Sequence, residues 1–365
     1  MIIPIKPWLD LANGKGDAPF ARTSSPFAGL ILSSGWETSD WGAAGRGVLS
    51  EFNSGKITDR MEFYHEPILA AEILEALQPV AGKQIFDGTL GGGGHTELLL
   101  RHDAHIIGCD QDQDALDHAT RRLALYGDSF LPVRGNFRNI DLILADLGIG
   151  QVDGILLDLG VSSHQLDDPA RGFSFREDGP LDMRMDNRAT FSARDLVNEW
   201  GEDDLIRIFR EYGEERHAAR VAREIMKVRV VKPIETTFEL SEVVGRVVPK
   251  ISAKNPATRV FQAIRIAVNG ELEALETALE KSVSLLAPQG VLAILTFHSL
   301  EDRIVKRFMH RRSSPYLDRP EWSEPRPNPD FAFHLPSRKA IAPDEAETKR
   351  NSRSRSAKLR VAVKA

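Results

Sequence analysis

The stretch FDGTLGGGGH, residues 86–95, ends an apolar run on an acid, places glycine at 88 and at 91–94, and closes on a histidine. Glycine carries no side chain, so such a run lets backbone N–H groups close on a bound ligand. Two further acids stand at comparable places: Asp110 ends HIIGCD, and Asp158 lies near the end of VDGILLDLG. An acid placed like Asp110 can accept hydrogen bonds from ribose hydroxyls. Three carboxylates at three strand ends would make an acidic pocket, which suits a sulfonium cation better than a pyrophosphate. The loop itself leaves the cofactor open. A dinucleotide cradle usually reads G-x-G-x-x-G, whereas many methyltransferases show an acid followed by glycines at alternate positions. Asp87, Gly91 and Gly93 fit the second spacing, and Thr89 departs from it. Strand-end aspartates also serve as helix caps, and Asp87 taken alone reads that way.

The elements that position these residues follow from periodicity. HEPILAAEILEAL carries apolar residues at 69, 73 and 77, with Pro67 suited to a first helical turn. A strand at about 84–87, a helix through TELLLR and the strand HIIGCD come next. Then DQDALDHATRRLAL reads as helix, FLPVRG as strand, NIDLILADLG as a short helix and VDGILLDLG as strand. Strands alternating with helices imply right-handed crossovers and an α/β, Rossmann-like, doubly wound parallel sheet. After Asp158 the alternation stops. A stretch dense in Gly, Asp and Arg leads into helical segments from about 192 to 286, before VLAILTFHS returns as a strand and LEDRIVKRFMHR as a helix. The chain thus reads as a core of 61–165 and 287–365, with AKLRVAV as a final strand, and an inserted helical substrate-recognition domain at 166–286. Residues 1–60 lack a sustained period and a signal-peptide pattern, and read as a disordered extension or as preceding a true start at Met61.

With 365 residues, 42% hydrophobic and 27% charged, the chain can bury a sizeable core. Its longest apolar runs are too short to span a bilayer, so no membrane partner is expected. The single cysteine, Cys109, excludes an internal disulfide and a cysteine metal cluster, and suits a reducing, cytoplasmic setting. The histidines are scattered, so no metal site is expected. A net charge of −6 argues against wholesale coating by nucleic acid and directs attention to local basic surfaces.

Taken together and in order, DGTLGGGGHT, GILLDLGVSSHQLDDPARGFSFREDGPLDMRMD, YGEERHAARVAREI, NPATRVFQAIRIAVNGELEALE, LTFHSLEDRIVKRFM and NSRSRSAKLRVA resemble the MraW family of small-subunit ribosomal RNA methyltransferases. The resemblance covers roughly 61–365. It implies a class I S-adenosylmethionine-dependent methyltransferase fold with an inserted helical domain. It also implies methylation of the exocyclic N4 of a cytidine in the decoding region of 16S rRNA, with S-adenosyl-L-methionine as cofactor and the small ribosomal subunit as setting. By position, the family's cofactor contacts fall on Gly93, Gly94, His95, Asp110, Phe137, Asp158 and Gln165. Asp110 would hold the ribose hydroxyls and Phe137 would lie against the adenine. The loop amides and His95 would face the methionine part, with Asp158 and Gln165 adding polar contacts. His164 stands where many family members carry proline.

Many amino-methyltransferases place an Asn/Asp-Pro-Pro-aromatic loop after the fourth strand, and this chain has DLGVSS there. The expected acceptor for the amine proton is therefore Asp158 or a backbone carbonyl of 159–163, with His298 and Ser299 shaping the pocket. His298 reads equally well as a structural histidine at a strand end. Candidate RNA contacts are Arg216, Arg220, Arg223 and Lys227 at helical spacing, Arg171, Arg176, Arg184 and Arg188 before them, and Arg338, Lys339, Arg353, Arg355 and Lys358 in the tail. The inserted helices offer a surface to RNA or to a homodimer. Two other readings keep parts of the pattern: an NAD-dependent dehydrogenase, which retains the loop and Asp110, and a non-catalytic RNA-binding ribosome-assembly factor.

Overall fold

The computed structural model describes residues 67–249 and 255–365. The reading of residues 1–60 lies outside them. Helix α1 (Ala70–Leu77) precedes β1 (Gln84–Asp87), α2 (Gly94–Leu100), β2 (His105–Asp110), α3 (Gln113–Leu123), β3 (Phe130–Arg134), α4 (Ile140–Asp146) and β4 (Val152–Asp158). Leu69, Ile73 and Leu77 are all buried, as their spacing predicts. Pro67 sits ahead of the helix rather than in its first turn, because Leu69 adopts left-handed φ and delays the start to Ala70.

The chain then makes α5 (Ser163–Asp167), α6 (Ala193–Glu199), α7 (Glu202–Glu211), α8 (Ala218–Val231), α9 (Thr237–Val247), α10 (Thr258–Asn269) and α11 (Glu271–Leu285) before β5 (Leu286–Thr296) and α12 (Ser299–Ser313). Two short ladder strands, β6 (Tyr316–Leu317) and β7 (Arg326–Pro327), pair with each other. β8 (Phe333–His334), α13 (Glu345–Arg350) and β9 (Lys358–Lys364) complete the described chain.

The main sheet runs β3-β2-β1-β4-β5-β9-β8. Its first five strands are parallel, β9 is antiparallel to β5, and β8 is antiparallel to β9. Alternate side chains of β4 point to opposite faces, so Ile155 and Leu157 enter one buried cluster and Leu156 the other. Residues of α1, α2 and α3 cover the Leu156 face, and residues of α4, α11 and α12 cover the other. Strand order reverses between β1 and β4, and crevices for ligands form beyond the carboxyl ends of strands at such a point.

A separate cluster, including Leu196, Phe209, Val221, Ile225, Leu240 and Ile264, joins α6 to α10. Packing places α11 elsewhere. Leu275, Ala278 and Leu279 lie in the sheet's cluster, although the sequence reading grouped residues up to 286 with the insertion. Gly270, at φ 58, breaks α10 from α11 and redirects the chain onto the sheet. An amphipathic stripe announces a buried face without saying which core will receive it.

Candidate active site

A cavity of about 440 Å³ opens at the carboxyl ends of β1, β2 and β4. The glycine loop forms one side: Gly91, Gly92 and Gly94 line it, and the Gly91 N–H donates to Asp110 Oδ2 at 2.8 Å. Gly91 and Gly93 both need the left-handed φ that glycine tolerates, 50° and 76°. Gly93 is not among the lining residues, and a Cβ there would lie 3.0 Å from Leu123 Cδ1 and 3.3 Å from Ala119 Cβ. Its role is to let α2 pack closely on α3. The resemblance implied a cofactor contact at Gly93; the structure places this residue against α3, outside the cavity lining.

The strand-end acids divide. Asp110 lines the cavity and also accepts the Asp112 N–H at 2.9 Å, while burial, against these two hydrogen bonds, pushes its pKa up to about 6. Asp158 lines it too. Asp87 does not. It is buried beneath the loop, where the Thr96 hydroxyl donates to Oδ2 at 2.7 Å and the Thr89 N–H to Oδ1 at 3.1 Å. The three-acid pocket expected from the sequence therefore has only two of its strand-end carboxylates in contact with the cavity, and Asp87 braces the loop instead.

His95, in the first turn of α2, is buried against the wall. Its Nε2–H donates to the Ile68 carbonyl at 2.9 Å, and Nδ1 stands 3.4 Å from Asp158 Oδ2. Burial opposes the imidazolium, but Asp158 and the Ile68 carbonyl outweigh it and hold the ring's pKa above its ordinary value. The second oxygen, Asp158 Oδ1, is buried with no hydrogen-bond partner. A buried acceptor left open costs on the order of 1–3 kcal/mol, so this atom is suited to a donor brought by a ligand.

Phe137 lines the cavity beside Gly88, where an added Cβ would lie 2.9 Å from Phe137 Cβ and 2.6 Å from Leu157 Cδ2. Gln165 also reaches the lining, but its amide is committed: Nε2 donates to Asp112 Oδ2 at 2.8 Å and Oε1 accepts the Ser162 N–H at 3.0 Å. It closes the N-terminus of α5 onto buried Asp112, so its polar atoms position the 162–165 turn. The neighbouring His164 is exposed.

His298 and Ser299 are not among the lining residues. His298 caps α12, with Nδ1 accepting the Glu301 N–H at 3.3 Å and Nε2 3.0 Å from Glu301 Oε1. The Ser299 hydroxyl donates to Glu214 Oε2 at 2.9 Å. The structure thus places His298 at a helix cap and Ser299 against Glu214, both outside the cavity lining. Phe297 and Glu301 touch the cavity in their place.

Other wall residues escaped the sequence reading or, like Arg353, were read only as RNA contacts. Arg265 and Glu271 form a two-pronged ion pair at 2.8 Å for both contacts, and Asn269 ties the Met183 carbonyl and the Met185 N–H to α10. Arg265, Asn269, Glu271 and Met185 line the cavity, as do Asn351, Arg353 and Ser356 of the tail. Arg265 and Glu271 carried one signal, opposite charges at the end of an apolar helical stretch. Several basic residues expected to meet RNA are engaged within the chain. Arg171 pairs with Asp112 at 2.8 Å, Arg184 with Asp182 at 2.6 Å, Arg188 with Asp186 at 2.8 Å, Arg353 with Asp167 at 2.6 Å and Lys358 with Asp302 at 3.0 Å. Arg216, just before α8, and Arg220, Arg223 and Lys227 along it are exposed, with Arg223 3.2 Å from Glu202 and Lys227 3.5 Å from Glu224.

A doubly wound sheet with an antiparallel final strand, a glycine loop at its switch point and an acid closing the second strand define a class I, Rossmann-like S-adenosylmethionine-dependent methyltransferase fold. Residues 62–365 match the model of the MraW methylase family, and the chain belongs to that family. It is 50% identical over 307 residues to the ribosomal RNA small subunit methyltransferase H of Carboxydothermus hydrogenoformans, covering 83% of this chain and 99% of that protein. With the protein of the same name from Syntrophotalea carbinolica it shares 48% over 307 residues, 82% of this chain and 98% of the relative. Among solved structures, an rRNA methylase from Streptococcus thermophilus aligns over 81% of this chain and 93% of its own at 11% identity and a TM-score of 0.36. Membership of this family sets aside the dehydrogenase reading and makes S-adenosyl-L-methionine the cofactor. The residues present fit it: a loop without side chains, the acceptor Asp110 and the ring of Phe137.

Proposed function

We propose that this protein methylates the exocyclic N4 of a cytidine in the decoding region of 16S rRNA, acting on the small ribosomal subunit or its RNA. The names of its relatives support the RNA substrate. The observation that carries the amine is the buried, partnerless Asp158 Oδ1 in the cavity wall. S-adenosylmethionine supplies an electrophilic methyl carbon on a sulfonium. The residues of the chain do the rest by placement. Asp110 and the loop hold the nucleoside end, with Phe137 against the adenine, and Gly94 and His95 border the methionine end. A cytosine amine is a poor nucleophile because its lone pair is delocalised into the ring, so an acceptor on its N–H is needed as nitrogen becomes tetrahedral. Asp158 Oδ1 is that acceptor, and His95, 3.4 Å from Oδ2, keeps the carboxylate oriented.

The test is transfer of radiolabelled methyl from S-adenosylmethionine to undermethylated small subunits and to free small-subunit rRNA, followed by nucleoside analysis. Label in N4-methylcytidine is the expected result. D158N should bind cofactor within about threefold of wild type and lose about 10²–10⁴-fold in kcat, the usual contribution of a placed acid or base. A D158N protein with full turnover removes Asp158 from this role. Cofactor binding with no label in either substrate would favour a non-catalytic assembly factor.

A further inference from the structure

The cavity wall continues into α12, whose exposed side carries a second feature. Arg303, Lys306, Arg307, His310 and Arg311 recur at intervals of three and four, share one face, and are all exposed. These five side chains alone line a shallow depression. The opposite face of the helix, with Val305, Phe308 and Met309, is buried against the sheet. Two of the five are tethered at the edges: Arg303 to Glu214 at 3.1 Å, and Arg311 to Glu280. No ion pair joins Lys306, Arg307 or His310 to an acid among the described residues, and the other nearby acid, Asp302, is taken by Lys358 and Arg360 at 3.0 and 2.7 Å.

Cations near a helix C-terminus complement its dipole, which accounts for His310, Arg311 and Arg312 in the last turn. It does not account for Arg303, Lys306 and Arg307 in the middle of the helix, where converging like charges are unfavourable. A concavity lined by one sign of charge concentrates counter-ions. Its place is informative as well. Glu301 touches the active-site cavity, and the stripe runs from two residues beyond it over roughly 12 Å of helix at 1.5 Å per residue.

We infer that this face of α12 holds the phosphate backbone of the RNA strand flanking the target nucleotide. The inference rests on the RNA substrate proposed above. By contrast with Arg171, Arg184, Arg188 and Arg353, whose charges are spent on Asp112, Asp182, Asp186 and Asp167, Lys306 and Arg307 are available to phosphates. Their contacts carry register rather than sequence, so they should raise affinity without touching the chemical step.

The experiment compares K306Q/R307Q with wild type and with R216Q/R220Q at the start of α8, using a fluorescent small-subunit rRNA fragment titrated at several salt concentrations, alongside methyl transfer to small subunits. Cofactor binding unchanged from wild type verifies the fold of each variant. The expected result is a log K against log salt slope shallower by about 1.4, two contacts at about 0.7 each, and a KM for RNA raised about tenfold at constant kcat. R216Q/R220Q should change both far less. An unchanged slope and KM, a loss confined to kcat, or an equal effect from the α8 variant would each overturn the inference. An effect on subunits without any on rRNA would also overturn it, since the partner would then be a ribosomal protein. Failure of the RNA reading itself shows separately, as absent methyl transfer by the wild-type protein that still binds cofactor.

Discussion

Replacing Asp110 by asparagine probes the cofactor end of the cavity at nearly constant volume. In the native chain, Oδ2 takes the Gly91 N–H and Oδ1 the Asp112 N–H, and the carboxylate retains lone pairs for ribose hydroxyls. An amide offers one acceptor oxygen, so its NH₂ group must face a backbone donor. Loss of one hydrogen bond to an ionised acceptor costs about 1.5–3 kcal/mol, which corresponds to a Kd for S-adenosylmethionine raised about 10- to 150-fold. The pH dependence sharpens the test. With a pKa near 6, Asp110 is ionised at pH 7.5, and wild-type affinity should fall about tenfold by pH 5 as the proton competes with the ribose. D110N should be weak throughout and lack that fall.

Stability without cofactor should move in the opposite direction. Between pH 3.8 and about 6 the folded chain keeps a proton that the unfolded chain has released, so this group's contribution declines as pH rises through that window. The total is up to about 3 kcal/mol. Calorimetric titration from pH 5 to 8 and thermal melts from about pH 4 to 7 measure the two trends. A D110N Kd within about twofold of wild type, or wild-type affinity flat from pH 5 to 7.5, would refute the assignment of Asp110 to the ribose.

Other substitutions reach the walls. R171M should cost about 3–5 kcal/mol, seen as a lower urea midpoint at unchanged slope, because it leaves buried Asp112 without its cation. R171M/D112N should recover part of that loss, and strict additivity of the two single changes would show that the pair is not coupled. G88A should cost about 1–3 kcal/mol and weaken cofactor binding together, since its Cβ would press on Leu157 and Phe137. A melting temperature and a Kd both equal to wild type would count against Phe137 as part of the cofactor wall.

Much of the fold was legible because its signals are local. Period and length separate VDGILLDLG from DQDALDHATRRLAL without any knowledge of neighbours, and an acid at the end of a strand stands at the sheet's ligand-binding edge wherever the other strands lie. The glycine loop, Asp110, Phe137 and Asp158 could accordingly be singled out from the sequence, and all reach one cavity. Tertiary structure decided how each side chain is spent. Gly93 turns toward α3, Asp87 goes under the loop, Gln165 gives its amide to Asp112, and His298 caps α12. It also closes the cavity with Arg265, Asn269, Glu271 and the 351–356 tail. Those outcomes depend on groups far apart in sequence that meet only after α10, α11 and β9 have packed. A residue's type states which hydrogen bonds and charges it can offer, and packing alone determines which partner takes them.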